Sequence, residues 1–441
     1  MECQNDNREE FSSKFGFIIS CIGAALGLGN IWMFSYKLGA YGGAAFLIPY
    51  FIFVFLLGTS GLVTEFSFGR IHRNGSFAGI KKTFSKKGLK GGSIIGAIPP
   101  IGLVGVLMFY CIVIGWVFKY FSLSITGEIN TIETTSYFSN FSGTASSIPW
   151  FFLALLITVL VVCLGITKGI ERLNKLIMPI LFVIFIILTV KSLSLPGSMK
   201  GVDYLLTPDF HYLLKAETWI MALGQAFFTV SLNGCGMVVY GSYINEKINI
   251  PSSAFSTAIF DTIAALLASF MIMPAVFAFG LDPAAGPSLL FITVPKIFQE
   301  MSYGGLLSFI FFLSIIFATI SSSVNMLEGP VEAILSATKL SRVKASILVG
   351  VVAFILALPL TTSMDRFGSF TDFVTIIISP IGSLIVAICL FFFTSKETVL
   401  NDINRNVKHK VGDWFIVYGK YIFTIVTILV VILGVVYGGI G

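Results

Sequence analysis

The sequence predicts an all-α polytopic membrane protein, and three features of its composition indicate this class. Of its 441 residues, 56% are hydrophobic and only 11% are charged, whereas soluble domains carry about 25% charged residues. Its mean hydropathy is +0.93. The 44 Phe and 43 Gly residues are typical of transmembrane helices, where glycine permits close packing. This composition excludes an ordinary cytosolic enzyme, a disordered chain and a nucleic-acid-binding module.

Eleven apolar stretches approach the roughly 20 residues that a spanning helix needs. Their centres fall near residues 25, 54, 107, 157, 182, 231, 266, 318, 351, 384 and 426. We therefore expect a single transporter-type domain over 1–441. It consists of a cytoplasmic N-terminal segment, two five-helix repeats and an eleventh helix: 1–13, 14–192, 216–394 and 413–438.

The distribution of Lys and Arg predicts the orientation in the membrane. Cations cluster in the loop after the second span (70–90) and again in alternate loops at 168–175, 339–344 and 396–410. By the positive-inside rule these loops are cytoplasmic, which places the N-terminus inside and the C-terminus outside. The same loops account for the net charge of +6. A plasma (inner) membrane location follows, and the absence of a large outer loop favours a bacterium. The Pro-punctuated stretch 282–300 is too short to span comfortably and predicts a lid-like outer loop.

Two of the spans are interrupted by glycine and polar residues. The first reads GAALGLGNIW from Gly23 to Trp32, and the sixth reads GQAFFTVSLNGCG from Gly224 to Gly236. Any single one of these glycines is explained by close helix packing. Unwound backbone at membrane depth, however, is tolerated only where it is buried in protein or lines a cavity. Two breaks, each in the first helix of a five-helix half, predict a secondary transporter with inverted repeats and a site at the midplane.

The chemistry of such breaks suits an ionic ligand. Half-helix N-termini offer free N–H groups and a positive dipole end to a carboxylate, while freed carbonyls suit a hard cation such as sodium. Asn, Thr, Ser and Asp side chains would complete an all-oxygen cage.

Four motifs resemble the neurotransmitter:sodium symporter family, most closely its bacterial hydrophobic amino-acid members. They are GLGNIW in the first span, EFSFGR closing the second, WIMALGQAFFTVSL in the sixth and SSS in the eighth. The resemblance covers spans one to ten. An eleven-span chain also resembles some bacterial members of the family, which usually has twelve.

The resemblance implies two sodium sites. The first would be formed by the Ala25 carbonyl, Asn30, Thr229 and Asp261, together with the substrate carboxylate. The second would be formed by the carbonyls of Gly23, Leu26 and Ala318 and the hydroxyls of Ser321 and Ser322.

The resemblance also implies an amino-acid site between the two broken helices. The substrate carboxylate would meet the Gly29 N–H and the Tyr110 hydroxyl. The amino group would face the carbonyls of Ala25, Phe228 and Thr229. The substrate side chain would lie among Ala24, Val106, Phe228, Ser231, Gly234, Ser322 and Met326.

Gly234 departs from the bacterial leucine transporter of this family, which has a phenylalanine at the matching position. Loss of that ring would enlarge the pocket and admit Trp, Tyr and Phe alongside Leu and Ile. The alternative is that Gly234 only preserves the unwinding of the helix.

Asp261 is a second departure, because many relatives carry Asn there, and Ala265 replaces a Glu of the leucine transporter. A buried Asp is costly, which favours a functional role. Its charge would replace the chloride that animal relatives require, so chloride-independent transport is expected. Protonation of Asp261 after sodium leaves would give proton antiport.

The outer gate that the resemblance implies is only half present. Asp372 matches its acidic partner, but Met33 occupies the usual Arg position. Closure should therefore depend on Tyr110 and Phe228 covering the substrate.

At the inner gate, Arg8, Phe11 and Tyr243 resemble the cation, the aromatic residue and the tyrosine of the family. The Asp expected in the eighth span falls near Ser336. Glu332, one turn earlier, is the candidate substitute.

A Gly-x9-Pro segment, from Gly169 to Pro179, lies at the inner start of the fifth span. Gly tolerates unwinding, and Pro removes an N–H and disfavours helix at the residue before it. The family interpretation is a helix that opens to admit water to the second sodium. The alternative is a static kink.

Together these patterns predict sodium-coupled uptake of hydrophobic, large or aromatic L-amino acids, with two sodium ions and no organic cofactor. A proton-coupled permease of similar architecture is the first alternative, although Ser321 and Ser322 oppose it. A ligand-gated channel or nutrient receptor is the second. The sequence contains no HExxH or GxSxG motif, so it gives no indication of an intramembrane hydrolase. The sequence predicts neither a nucleic-acid partner nor an oligomeric state.

Overall fold

The structure, a computed structural model, describes residues 9–283 and 286–438, without the side chains of residues 287 and 288. Helices and turns account for the secondary structure of these ranges, which confirms the all-α class. The main helices, numbered along the chain, are α1 (Lys14–Ala25), α2 (Gly29–Ala40), α3 (Ala44–His72), α4 (Ser76–Lys86), α5 (Gly92–Thr126), α6 (Thr134–Phe141), α7 (Ala145–Cys163), α8 (Ile166–Leu193), α9 (Met199–Leu206), α10 (Ala216–Thr229), α11 (Gly236–Ser242), α12 (Ile250–Ala278), α13 (Thr293–Glu300), α14 (Gly304–Ala337), α15 (Arg342–Thr361), α16 (Met364–Phe393), α17 (Lys396–Ile403) and α18 (Trp414–Val436).

Within the described ranges, nine helices are long and apolar enough to cross a membrane. The pair α1 and α2, bent by 55° at residues 26–28, makes a tenth span if it is counted as one. The remaining predicted span, the sixth, is divided into α10 and α11, of 14 and 7 residues. Each piece is shorter than the roughly 20 residues that cross a bilayer. The structure thus places an interruption in both of the spans that the sequence predicts to be broken.

The helices differ in how deeply they are buried. The apolar stretch of α5 is 83% buried within the protein, whereas those of α7, α8 and α15 are 39% buried and that of α18 is 33% buried. The exposed residues of the peripheral helices are large and aliphatic, for example Leu160, Ile187 and Ile355. Because such side chains are costly in water but not in lipid, α5 is a central helix and the others form the lipid-facing perimeter.

The break between α1 and α2 has side-chain partners for its backbone. The Asn30 Oδ1 accepts from the Gly27 N–H at 3.0 Å, and the Tyr110 hydroxyl accepts from the Leu28 N–H at 3.1 Å. The Ser322 hydroxyl lies 2.9 Å from the Leu26 carbonyl. These contacts satisfy groups that a continuous helix would have paired, which is the condition for unwound backbone inside a membrane.

The break between α10 and α11 is stabilised in the same way. The Asn233 side chain accepts from the N–H groups of Cys235 and Gly236, both at 2.9 Å, and so caps α11. The buried Glu65 of α3 accepts from the Gly234 N–H at 2.8 Å. Ser231 and Gly234 both have positive φ, 58° and 71°. The chain can therefore leave the helical conformation here without an unsatisfied donor at Gly234, Cys235 and Gly236.

The segment 282–300, predicted to be a loop, is partly helical in the residues described. It contains α13 and a short 3₁₀ turn at Gly286–Leu289. The fully buried Phe291 packs against Trp116 and Phe138, with ring centroids 5.8 and 5.1 Å apart. The segment is thus a packed cover, which is a more ordered element than a simple loop.

Candidate substrate and sodium sites

Three side chains from the broken and seventh spans meet in a buried polar cluster. The Asp261 Oδ1 accepts from the Asn30 Nδ2 at 2.7 Å, and the Asp261 Oδ2 accepts from the Thr229 hydroxyl at 2.8 Å. The Asn30 Nδ2 also lies 3.0 Å from the Thr229 oxygen. All three residues are at most 1% exposed. Ala25, the fourth predicted residue, is the last residue of α1, where helix carbonyls lose their intrahelical partners.

In the described part of the chain, no basic side chain forms an ion pair with Asp261. None of the ion pairs there includes this residue. A buried carboxylate is costly unless it is paired or binds a cation. The donor set, carboxylate, hydroxyl and amide, is all oxygen once the Asn30 amide turns its oxygen inward, and it fits a hard cation.

The second cluster lies between α1 and α14, centred on Ser322. Its hydroxyl oxygen is 3.1 Å from the Gly23 carbonyl, 2.9 Å from the Leu26 carbonyl and 3.3 Å from the Ala318 carbonyl. These are the three carbonyls that the resemblance implies for the second sodium. The Ser321 hydroxyl donates to the Asn174 side-chain oxygen. This oxygen-only set also fits sodium.

The expected substrate residues border the same region. The Ser231 hydroxyl donates to the Ala24 carbonyl at 3.1 Å, and the ring of Phe228 lies directly against Gly29. Val106 and Met326 are buried, at 5% and 8% exposure. The Tyr110 hydroxyl, which is expected to meet the substrate carboxylate, accepts from the Leu28 N–H of the same break.

Gly234 is placed against the backbone of α16. A Cβ at this position would collide with the carbonyl of Gly382, and the φ of 71° is one that side chains disfavour. The geometry favours the interpretation that Gly234 preserves the unwinding. It does not support the idea that a missing side chain enlarges the pocket, since that side chain would point into α16.

A cavity of about 270 Å³ opens above Tyr110 and Phe228 on the face opposite the N-terminal segment. Its lining is mainly aromatic and apolar. The two outer-gate positions, Met33 and Asp372, both line it, and Asp372 is exposed. Trp32 and Trp116 line it as well, so they form part of the wall of this cavity, the vestibule, in addition to packing.

A series of contacts closes the side of the molecule on which the N-terminal segment lies, the N-terminal face. Phe11 is 2% exposed, and its N–H donates to the Tyr243 carbonyl at 3.1 Å. The Tyr243 hydroxyl donates to the Glu328 carboxylate at 2.6 Å, and Arg342 pairs with the same carboxylate at 2.7 Å. Arg342 also lies 3.7 Å from Glu9.

The acidic side chain that meets Tyr243 and Arg342 at this face is Glu328, and the role expected of Glu332 stays a prediction. Glu328 precedes Glu332 by about one helical turn, and the helix geometry places it opposite Tyr243. Its buried pairing with Arg342, the first residue of α15, could not be deduced from spacing alone. Arg8, the predicted cation of this gate, lies outside the described residues.

The start of α8 is not regular α-helix. Ile166–Glu171 forms a π-helical turn that contains Gly169, and Pro179 lies inside the helix that follows. A Cβ on Gly169 would collide with the Val161 carbonyl, so this turn requires glycine. Such wide turns often mark functional positions in helices. Asn174, for which the sequence patterns gave no indication, lies in this helix and accepts from the Ser321 hydroxyl.

The paired breaks and the two oxygen clusters define the class of protein, a multi-pass membrane transporter with its sites at interrupted helices. The chain belongs to the sodium:neurotransmitter symporter family, whose sequence profile matches residues 8–140 and 142–438. Members of this family are sodium-coupled transporters and not enzymes. The resemblance of the four motifs to this family is therefore confirmed.

Individual relatives agree with this assignment. The chain is 35% identical over 411 residues to YhdH, an uncharacterized sodium-dependent transporter of Bacillus subtilis, covering 90% of each chain. It is 33% identical to the sodium-dependent neutral amino acid transporter B(0)AT3 of Rattus norvegicus, over 60% of this chain and 48% of that one. Its fold matches the crystal structure of MhsT in complex with L-phenylalanine with a TM-score of 0.86 at 31% identity, covering 97% of this chain and all of that one.

Proposed function

We propose that this protein is a sodium-coupled symporter that takes up hydrophobic L-amino acids, including large and aromatic ones, by alternating access. The observation that carries the proposal is the buried Asp261–Thr229–Asn30 cluster beside the helix breaks, whose charge calls for a cation. The MhsT complex with L-phenylalanine and the aromatic vestibule above Tyr110 support a large hydrophobic substrate.

Sodium binding at two clusters would couple ion and substrate. The first ion would neutralise Asp261 and contact the substrate carboxylate, and the second would occupy the carbonyl cage at Ser322. Asp261 would supply the negative charge directly, which makes transport independent of chloride. Each inward charge gains about 2.3 kcal/mol per 100 mV of membrane potential, so two ions provide roughly 4–5 kcal/mol before the sodium gradient is counted.

The alternation would use the two faces of the molecule. The N-terminal face is cytoplasmic in this proposal, and the vestibule opens to the outside. Substrate binding would draw Tyr110 and Phe228 together over the site. Release of the second sodium would then separate Phe11 and Tyr243 from their partners and open the inner side.

Uptake of radiolabelled L-phenylalanine into proteoliposomes tests this function, with external sodium and chloride replaced independently. We expect accumulation that requires an inward sodium gradient, is abolished by a sodium ionophore and is unchanged when gluconate replaces chloride. Unlabelled Trp, Tyr, Leu and Ile should compete, and Asp should not. Uptake that persists without sodium and follows a proton gradient would instead identify a proton-coupled permease.

A further inference from the structure

The Ser321 hydroxyl and the Asn174 amide make a contact that joins the second oxygen cluster to α8. Asn174 is fully buried, and its Nδ2 donates to the Ile170 carbonyl at 2.9 Å. That bond fixes the amide so that its oxygen faces α14, where it accepts from Ser321. A Cβ on Gly23 would collide with both the Asn174 oxygen and the Ser321 oxygen, so the backbone of α1 lies against this pair.

The direction of the Ser321 proton decides whether this hydroxyl can bind a cation. A serine hydroxyl has one proton to donate and two lone pairs that accept. Donation to Asn174 turns the proton away from α1 and leaves the lone pairs for an ion. Ser322 differs, because its hydroxyl is surrounded by the carbonyls of Gly23, Leu26 and Ala318 and directs its proton into the cage.

We propose that Asn174 is a positioning residue for the second sodium ion, because it holds the lone pairs of the Ser321 hydroxyl toward α1. The proposal rests on the function proposed above. Asn174 need not touch the ion, because it orients Ser321 as outer partners orient metal ligands elsewhere. It lies between Gly169 and Pro179, so unwinding of this segment would carry its amide away from Ser321.

The N-terminal segment contacts the π-helical turn of α8 that precedes Asn174. The Ser12 N–H donates to the Glu171 carboxylate at 2.8 Å, and the Ser12 hydroxyl contacts it as well. Glu171 is buried at the end of the π-helical turn, three residues before Asn174. The neighbouring Phe11 is bonded to Tyr243. The residues that precede Asn174 are thus held by the N-terminal segment, which itself contacts Tyr243.

A double-mutant cycle in purified protein tests the proposal. Sodium dependence of L-phenylalanine binding is measured for the wild type, Asn174→Ala, Ser321→Ala and the double variant. We expect each single variant to raise the half-saturating sodium concentration about tenfold or more, with phenylalanine affinity at saturating sodium nearly unchanged. The double variant should resemble Ser321→Ala alone, because Asn174 acts through that hydroxyl.

Two further variants separate positioning from packing. Asn174→Leu keeps the volume without the acceptor and should match Asn174→Ala, while Ser323→Ala, whose hydroxyl bonds to Ile320 and Thr158, should leave the sodium dependence unchanged. Hydrogen exchange of residues 166–178 should slow on addition of sodium alone in the wild type, and less so in Asn174→Ala.

Additive effects in the cycle, or unchanged sodium dependence in both Asn174→Ala and Asn174→Leu, would overturn the role of Asn174 while leaving sodium coupling intact. If Asn174→Ala fails to fold, a sodium dependence of Asn174→Leu equal to that of the wild type overturns it equally. Wild-type binding that does not respond to sodium would instead refute the proposed function, and this inference with it.

Discussion

The Tyr243 hydroxyl donates a 2.6 Å hydrogen bond to the buried carboxylate of Glu328. The bond joins the short helix after the second break to the long helix α14 that carries Ser321 and Ser322. Arg342 contacts the second oxygen of the same carboxylate at 2.7 Å, so Tyr243 and Arg342 meet on one buried acidic side chain. In the function proposed above, this contact belongs to the inner gate.

Removal of this bond should favour the form that is open on the N-terminal face. A hydrogen bond to a charged group contributes about 1.5–3 kcal/mol, and Tyr243→Phe would lose it only in the closed form. We expect weaker L-phenylalanine binding at a fixed sodium concentration, by about tenfold. Equilibrium binding in detergent measures this, with Tyr421→Phe, a 59% exposed position, as the matched control. Equal affinities for both variants would contradict the gate.

The charge of Asp261 should set both sodium affinity and chloride independence. Asp261→Asn keeps the shape but removes a charge that interacts with an ion about 4 Å away by a few kcal/mol. We expect the half-saturating sodium concentration to rise at least about tenfold and uptake to become stimulated by chloride. Asp365→Asn, at an exposed position, serves as control. Unchanged sodium affinity together with no chloride effect would rule out this role and also proton antiport through Asp261.

The Ser322 hydroxyl should be required for binding of the second sodium. Ser322→Ala removes an oxygen from a cage of three carbonyls. We expect a large increase in half-saturating sodium and a lower Hill coefficient for sodium in uptake assays. Ser323→Ala is matched in burial and helix, but its hydroxyl bonds to Ile320 and Thr158 and lies outside the cage. A similar sodium dependence in the two variants would show that the cage does not bind the ion.

Gly234 should tolerate no side chain. Gly234→Ala would place a methyl group against the Gly382 carbonyl and add about 1–2 kcal/mol of backbone strain at positive φ. We expect loss of monodisperse protein on heating and loss of uptake. Gly368→Ala, a helical glycine whose added methyl meets no atom within 4 Å, should keep its thermal stability. An active Gly234→Ala variant with an altered preference for substrate size would restore the idea that position 234 shapes the pocket.

The sequence allowed the broken helices and most of the residues of the two oxygen clusters to be predicted, because their signals are local. Glycine and asparagine within an apolar span are visible in the chain itself, and Asn30, Thr229 and Asp261 meet as expected. Glu328, however, could not be separated from Glu332 by spacing. Both are buried acids on one helix, and the choice depends on how α14 is rotated toward Tyr243 and Arg342.

The role of Gly234 was open for a similar reason. Sequence alone shows a missing side chain but not the direction in which it would point, and the proximity of α16 decides that direction. The contact of Asn174 could not be predicted from the sequence. A single amide in an apolar helix does not indicate its partner, which here is the Ser321 hydroxyl 147 residues away.

The amino-acid sequence by itself determined that this chain is a membrane protein, where its helices break and to which family it belongs. Those properties follow from hydropathy, helix-breaking residues and local motifs, which need no knowledge of neighbours. Tertiary structure decided which acid meets Tyr243 and Arg342, in which direction a side chain at position 234 would point and which amide accepts from Ser321. These depend on helix rotation and close approach between distant segments, where a shift of one residue along a helix turns a side chain by about 100°.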